Sequence, residues 1–294
     1  MKKHSRRSFL KLSGGFTSGL LAATAIGSPT LLTSCAAARE SSPFGLQLYT
    51  LRDVLPADPR GILKQVADFG YKQIESYEGA EGMFWGMGHK GFKSYMDELG
   101  MDIISTHCNV FEGLEKKADE AAAIGMEYLI CPYLGAQETI DDYKEQAERF
   151  NNVGEICNKA GVKFAYHNHG YTYEKHDGVY PQDILMDYTD PQLVEHEMDI
   201  YWVATVGEDP AAWIRKYPNR FTLAHYKDRA DQPLSNTDAS CTLGTGTIDF
   251  VGLTKLGIEN GMKYFIVEQE NYQDTTPIDC VRDGAEYMRG LKLT

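Results

Sequence analysis

The sequence has few cysteines, six in 294 residues, and none of them forms a CxxC pair. Once Cys35 is set aside, an odd number remains: Cys108, Cys131, Cys157, Cys241 and Cys280. An odd set in a chain of this size argues against a scaffold built on disulfides. Cys108 and Cys131 lie in apolar stretches, so we predict that both are buried thiols.

A glycine-rich phosphate-binding motif is also missing. The first apolar run reads LQLYTLRD (46–53) and lacks GxGxxG. A dinucleotide-binding fold carries that motif after its first strand, so the sequence argues against such a fold.

Positive charge is scarce. The whole chain has 29 basic and 42 acidic residues, and five of the basic ones precede Cys35. The 260 residues from Cys35 onward therefore carry 24 basic against 42 acidic side chains. A nucleic-acid partner requires a basic surface, so we expect none.

The first 34 residues contain a basic start, a short apolar run and small residues, which is typical of an export signal. Arg6-Arg7 before SFLK resembles a twin-arginine motif. Leu32-Thr33-Ser34-Cys35 resembles a lipobox, after which Cys35 becomes a lipidated first residue. We predict a signal peptide at 1–34, a linker at 35–43 and an exported, periplasmic lipoprotein whose only membrane contact is a lipid on Cys35. The alternative is that Cys35 is incidental and ordinary signal peptidase cuts nearby.

The rest of the chain alternates between short apolar runs and helix-like segments, several of which end in glycine. This alternation predicts a parallel sheet with helical crossovers. Eight such units with no break predict an α/β fold, a single (β/α)8 TIM barrel over residues 44–294, whose oligomeric state stays open. The predicted strands are 44–49, 72–77, 101–108, 127–133, 162–169, 193–199, 220–228 and 263–270, with a final helix at 277–292 and one long loop at 229–247.

Histidines and carboxylates gather where these strands end, which is the face where barrel active sites form. Asp199, His225 and Glu268 end three consecutive strands, and His167 would complete a four-ligand metal site. Imidazole and carboxylate together suit Mn, Co, Zn or Fe better than Ca. The alternatives are that Asp199 caps a helix, that His225 is a hydrogen-bonded core histidine, and that Glu268 or Glu270 pairs with Lys227.

Six stretches together resemble the sugar phosphate isomerase/epimerase family of xylose-isomerase-like barrels: LQLYTLR, YHNH, EMDIYWV, HYKD, GTGTIDF and VEQEN. The resemblance implies a metal-dependent enzyme that removes a proton next to a sugar carbonyl. It places the metal ligands on His167, Asp199, His225 and Glu268. His167 stands where many members have Glu, which removes a symmetric pair of acid–base carboxylates. The YHNH run is closer to inosose dehydratase relatives, which eliminate.

We therefore expect a divalent-metal-dependent lyase that acts on a 3-keto-glycoside through an enediolate and releases the aglycone. The resemblance implies Glu268 or His169 as the base at C2, and Lys227 or His107 as the group that binds substrate or assists departure. It implies that Glu75 binds substrate and that Trp202, Phe84 or Trp85 faces a sugar ring. An isomerase or epimerase is the nearest alternative. A sugar-binding lipoprotein without catalysis is a weaker one, and a related endonuclease is disfavoured by the charge.

Overall fold

The computed structural model describes residues 43–272 and 275–291. The predicted signal peptide, Cys35 and all of the predicted linker except Pro43 lie outside the described residues. In the part described, no helix is both long enough and apolar enough to pass through a bilayer.

Eight parallel strands close into a barrel, which confirms the predicted fold class. The strand order around the barrel is β1-β10-β7-β6-β5-β4-β3-β2. Strands β8 and β9 form a separate two-stranded sheet, and every barrel strand lies beside the barrel strands that precede and follow it in the chain. The strands are Gly45–Gln47 (β1), Gln73–Tyr77 (β2), Asp102–His107 (β3), Tyr128–Cys131 (β4), Lys163–His167 (β5), Val194–Asp199 (β6), Phe221–Tyr226 (β7), Asp228–Arg229 (β8), Ser240–Cys241 (β9) and Tyr264–Val267 (β10).

Helices surround the barrel and pack their apolar faces on it. The longest, α4, begins with a capping box in which Thr139 and Asp142 bond each other's backbone amides. Gly100 and Gly161 end α2 and α4 in the left-handed conformation that glycine adopts without strain. The helices are Pro59–Asp68 (α1), Gly88–Leu99 (α2), Leu114–Ala122 (α3), Ile140–Ala160 (α4), Pro181–Tyr188 (α5), Ile200–Thr205 (α6), Pro210–Lys216 (α7), Phe250–Glu259 (α8) and Pro277–Gly290 (α9). Short 3-10 turns lie at Leu48–Leu51, Leu55–Ala57 and Gly170–Tyr173.

Strand β6 turns three acidic side chains into the barrel, because residues two apart in a strand face the same way. Glu195 bonds Tyr128 Oη at 2.8 Å and Lys163 Nζ at 2.9 Å. Glu197 and Asp199 follow along the same face, and both are fully buried. Glu195 lies near the N-terminal end of the strands, while Asp199 ends β6 at the opposite, C-terminal face.

The loop predicted at 229–247 contains the antiparallel pair β8–β9 and is organised by Asp228. The Asp228 carboxylate accepts from the amides of Gly244 and Gly246, each at 2.9 Å, and from the amide of Ile248 at 3.3 Å. The two glycine amides therefore bind a protein carboxylate.

Candidate active site and metal centre

A cavity of about 490 Å³ opens at the C-terminal ends of the strands, on the face where barrel enzymes place their sites. Its floor includes the strand-end residues His107, His167 and Glu268. Its rim includes Tyr49 and Tyr133, which are 39% and 61% exposed.

Four predicted ligands converge beside the cavity, and two of them, His167 and Glu268, line it. His167 Nε2 lies 3.2 Å from His225 Nδ1 and 3.5 Å from Asp199 Oδ2. His225 Nδ1 lies 3.2 Å from Glu268 Oε2 and 3.9 Å from Asp199 Oδ2. Each of the four residues therefore offers one possible ligand atom that lies within 4.8 Å of the other three. The structure brings together all four residues that the sequence selected.

Each of the two histidines uses one ring nitrogen for a hydrogen bond outside the cluster, which orients its other nitrogen as a metal ligand. His167 Nδ1 lies 3.1 Å from the Pro132 carbonyl, which can only accept, so Nδ1 carries the proton and the Nε2 lone pair faces the cluster. His225 Nε2 lies 2.6 Å from Glu75 Oε1, and when it donates there Nδ1 faces the cluster. Oriented imidazoles of this kind are typical of metal sites. The donor set therefore fits a divalent cation.

Asp199 caps a helix and also faces the other predicted metal ligands. Its Oδ1 accepts from the amide of Trp202 at 3.0 Å and so caps α6. Its Oδ2 is buried without a hydrogen-bond partner among the described residues, and it is the oxygen that faces the two histidines. Asn168 fixes the backbone at this point, because its Oδ1 accepts from the Asp199 amide at 3.1 Å. A buried carboxylate oxygen without a partner is an additional sign of a cation site.

A second polar layer lies beneath this cluster, in the barrel centre. His107 Nε2 contacts Glu197 Oε2 at 2.7 Å and Glu75 Oε1 at 3.2 Å. Gln47 Nε2 and Ser105 Oγ also donate to Glu75, at 2.7 and 2.5 Å. Glu75 has no exposed surface, and the geometry makes it a support for His225. His107 differs from Glu75 because it also lines the cavity.

Electrostatics within the cluster follow from this packing. Burial alone would lower the pKa of His225, but the carboxylates of Glu197, Glu268 and Glu75 raise it well above its usual value. Burial would raise the pKa of Glu268, yet the charges of His225 and Lys227 hold it below its usual value. In the absence of a cation, a proton on His225 Nδ1 therefore bonds Glu268. A bound cation would take the place of that proton.

Lys227 is a fully buried cation enclosed by acids and aromatic rings. Its Nζ bonds the Glu270 carboxylate and lies 3.6 Å from Glu268 Oε2 and 3.7 Å from Asp199 Oδ2. The rings of Tyr201 and Trp202 lie 4.9 and 4.8 Å from Nζ. Burial alone would lower the pKa of Lys227, but Asp199, Glu270 and Glu268 raise it. The neighbouring carboxylates thus favour the charged form of Lys227 beside two predicted metal ligands.

His169 lines the cavity but stands outside the ligand set. Its Nδ1 is buried and lacks a hydrogen-bond partner among the described residues. Burial, with a further contribution from His167, lowers the pKa of His169 to about 3, so the ring is neutral near pH 7. It is held by Tyr171, on which it stacks with centroids 5.9 Å apart.

The aromatic residues predicted to face a sugar are placed differently from one another. Trp85 and Phe84 are 4% and 6% exposed and belong to the core, where Trp85 donates to Ser76 Oγ at 3.1 Å. The structure therefore contradicts their predicted contact with substrate, because neither ring reaches the cavity. Trp202 is half-buried between Lys227 and His169, 5.3 Å from the latter ring, and is not among the cavity-lining residues.

Two of the three glutamates that line the cavity were not predicted as site residues. Glu270 lines the cavity with 31% of its side chain exposed, although the sequence suggested only a partner for Lys227. Burial raises the pKa of Glu270 in spite of the neighbouring Lys227 charge. Glu78 also lines the wall and accepts from Lys117 Nζ at 2.7 Å. Glu78 follows directly after β2, a strand that ends at the site. This position could have identified it from the sequence.

Comparisons with known proteins agree with this architecture. The family model for the xylose isomerase-like TIM barrel matches residues 63–291. An inosose dehydratase of Clostridium beijerinckii is 31% identical over 167 residues, 51% of this chain and 54% of that protein. An inosose dehydratase of Clostridium tetani is 29% identical over 147 residues, 45% of this chain and 48% of that protein. The chain thus spans about half the length of the curated relatives it matches.

A solved structure matches over a greater length. The crystal structure of a sugar phosphate isomerase/epimerase from Parabacteroides distasonis superimposes with a TM-score of 0.74 at 28% identity. The match covers 90% of this chain and 99% of that one.

Proposed function

Since the chain belongs to the xylose isomerase-like TIM barrel family, as its motifs indicated, we propose that it is a metal-dependent enzyme that removes a proton beside the carbonyl of a keto sugar. The observation that carries the proposal is the meeting of two oriented imidazoles and two carboxylates beside the cavity, which His167 and Glu268 line. The names of its relatives, dehydratase and isomerase/epimerase, support it. Both kinds of reaction on a keto sugar can begin with loss of that proton.

His167, Asp199, His225 and Glu268 would hold the cation. Two nitrogens and two carboxylate oxygens favour Mn, Co, Zn or Fe. When bound, such an ion polarises the carbonyl and stabilises the negative charge that develops on its oxygen.

We assign proton removal to Glu270 and not to Glu268 or His169, which were expected from the sequence. Glu268 is expected to serve as a ligand, and His169 is a weak base because burial opposes its protonation. Glu270 lies outside the ligand set, and its partly exposed side chain lines the cavity that would hold the substrate. Its raised pKa also brings it closer to neutral pH, where a general base works best. Lys227 orients this carboxylate, and His169 and His107 remain to bond the sugar hydroxyls or the leaving oxygen.

The cavity suits an uncharged substrate. Three glutamates line it, and no lysine or arginine is among its described lining residues. The neighbouring cations are already engaged, Lys117 by Glu78 and Lys227 by Glu270. A phosphorylated sugar would therefore find no free lysine or arginine among these residues to bind its phosphate group. An unphosphorylated 3-keto-glycoside fits better, with its aglycone toward the exposed tyrosines of the rim.

The reaction proposed is β-elimination, in which the C2 proton leaves and the C1–O bond to the aglycone breaks. Elimination needs only one base. Because His167 stands in place of a carboxylate, the site lacks the symmetric pair of acid–base carboxylates that an epimerase of this family uses. An isomerase or epimerase is the second candidate, and the near-complete match to the Parabacteroides distasonis structure favours it.

The test is to incubate the metal-loaded protein with a 3-keto-glucoside in D₂O and follow it by NMR, with and without a chelator. Metal-dependent release of aglycone with an unsaturated keto sugar would establish the lyase. Deuterium in a sugar whose glycosidic bond stays intact would instead establish epimerisation. Sugar binding that survives the chelator, without any turnover, would point to a non-catalytic binding protein.

We also propose that the protein is exported and anchored by a lipid on Cys35, as the first 35 residues of the sequence suggest. Expression of the full chain with a radiolabelled fatty acid tests this. Label in the wild type but not in Cys35→Ser is expected, and equal label in both would contradict the anchor.

A further inference from the structure

The active-site cavity has two chemically different sides. The ends of strands β5 to β10 supply His167, His169, Glu268 and Glu270, which include two predicted metal ligands and the proposed base. The ends of β1 to β4 supply an arc of rings and small side chains, here called the aromatic arc: Tyr49, Tyr77, Cys108, Pro132 and Tyr133. Glu78, His107 and Asn109 complete the lining on this side. A bound substrate would therefore have its reacting part on one side and its remainder on the arc.

Tyr133, at one end of the arc, is 61% exposed and yet is held in place. Its ring is perpendicular to those of His169 and Tyr171, with centroids 5.1 and 5.7 Å away. The Tyr171 hydroxyl accepts from the amides of Leu134 and Gly135, at 3.1 and 3.0 Å, and so fixes the loop that carries Tyr133. The ring is therefore accessible to a ligand in a defined position.

Tyr49, at the other end of the arc, is 39% exposed and is also held by its neighbours. Its amide donates to Gln47 Oε1 at 2.9 Å, and the Arg52 guanidinium lies 4.8 Å from its ring. Arg52 is anchored in turn, because it donates to the Glu270 carbonyl at 2.7 Å. Tyr77 stands perpendicular to Tyr49, with centroids 5.2 Å apart. Fixed tyrosines supply a large contact area at a small cost in conformational entropy, which favours binding.

The arc favours an aromatic ring over a second sugar ring. Aromatic rings pack perpendicular or offset to one another, which is the geometry that Tyr49 and Tyr77 already use. Between the two exposed tyrosines lie Cys108 and Pro132, whose side chains offer at most a weak thiol hydrogen bond. A second sugar would bring several hydroxyl groups against these side chains, where they would lose hydration without an equivalent partner.

We infer that the aromatic arc binds a flat aromatic aglycone, while the keto sugar ring lies on the side of the predicted metal ligands. The cavity, of about 490 Å³, has room for both parts, because pockets for drug-sized ligands measure about 300–1,000 Å³. The term aglycone rests on the proposed function, whereas the binding of an aromatic ring rests on the arc alone.

Unoxidised glucosides test the arc without requiring turnover. Phenyl and cyclohexyl β-D-glucoside are a matched pair, since both carry a ring of six carbons and only one ring is aromatic. Cellobiose places a second sugar at the same position. Titration of the metal-loaded protein, followed by saturation-transfer NMR, gives the Kd of each ligand and shows which ligand protons contact the protein. We expect phenyl glucoside to bind about 3- to 10-fold more tightly than cyclohexyl glucoside, and cellobiose to bind less tightly than phenyl glucoside.

Three variants show whether this preference comes from the arc. Tyr133→Ala should remove most of it, whereas Tyr133→Phe, which keeps the ring, should retain it. Tyr188→Ala is the matched control, because Tyr188 is also exposed, at 51%, but is not among the described residues that line the cavity. An unchanged preference in Tyr133→Ala would overturn the inference.

The remaining outcomes separate this inference from the proposed function. Equal affinity for the phenyl and cyclohexyl glucosides, no saturation transfer to the phenyl ring, or tighter binding of cellobiose would each contradict an aromatic subsite. Asp199→Asn, which disrupts the predicted metal centre, should keep the ratio of the two affinities. If the ratio is as expected and no 3-keto-glycoside reacts, the aromatic subsite stands and the proposed function alone is wrong.

Discussion

The 2.6 Å contact between His225 Nε2 and Glu75 Oε1 connects the two polar layers of the barrel. It fixes the ring so that Nδ1 faces Glu268 and His167, which lie above it. Glu75 is itself held by Gln47 and Ser105. The orientation of one predicted ligand thus depends on a carboxylate that no substrate can reach.

Glu75→Gln should therefore weaken the metal centre without removing a ligand. An amide cannot match the charge of the carboxylate that orients His225, and loss of such an outer partner typically lowers metal affinity about 10–100-fold. Competition with a chromogenic chelator measures the affinity. Glu78→Gln, on the cavity wall and away from His225, is the control and should bind metal as the wild type does. Equal affinity in Glu75→Gln and wild type would contradict the supporting role.

The meeting of these four side chains could be predicted because each lies at or next to the end of a barrel strand. Strand ends meet at one face whatever the packing of the helices. The second polar layer could not be predicted in the same way. Glu197 shares the parity of Asp199, but alternation alone does not say how deep in the barrel a side chain lies. Glu75 was predicted to bind substrate because it lies near a strand end. The sequence shows on which face of the strand a side chain lies but not which residues cover it. Phe84 and Trp85 belong to a loop whose packing depends on tertiary contacts.

His167→Glu should retain a metal centre with a different preference. A carboxylate replaces an imidazole, so the set becomes harder and more negative, which favours Mn over Zn. Dialysis against equimolar Zn and Mn, followed by elemental analysis, measures the ratio bound. His169→Asn, beside the set but outside it, should bind in the wild-type ratio. If His167→Glu also keeps that ratio, His167 is not a ligand.

Gly246→Ala should destabilise the fold. A Cβ at this position would lie 2.3 Å from Asp228 Oδ1 and 2.4 Å from the Arg229 carbonyl, so the loop must move. Overpacking of this kind typically costs about 1–3 kcal/mol of unfolding free energy. Gly290→Ala is the matched control, because a Cβ there meets nothing within 4 Å. Denaturant unfolding of the two variants is the measurement, and equal midpoints would show that the loop accommodates the methyl group freely.

Glu195→Gln should make stability less dependent on acid pH. Burial alone would raise the pKa of Glu195, but bonds from Thr222, Lys163 and Tyr128 lower it below its usual value. A carboxyl with a lowered folded-state pKa stabilises the protein above its unfolded pKa, and this contribution fades as pH falls through the folded value. Glu195→Gln should therefore cost about 1–3 kcal/mol at pH 7. The difference from wild type should shrink below about pH 4.3. Unfolding curves at pH 7 and at lower pH test this, and a constant difference would exclude the ionic contribution.

Glu270→Gln should separate proton abstraction from metal binding. The amide can still bond Lys227, so the cavity should keep its shape, but it cannot accept the substrate proton. Loss of a general base typically lowers kcat by roughly 10²–10⁴-fold. Bound metal, measured by elemental analysis, should match the wild type, and deuterium exchange at C2 should stop. Glu78→Gln alters a carboxylate on another part of the same wall and should affect kcat far less. Exchange at the wild-type rate in Glu270→Gln would move the role of base to Glu268 or His169, and His169→Asn then decides between them.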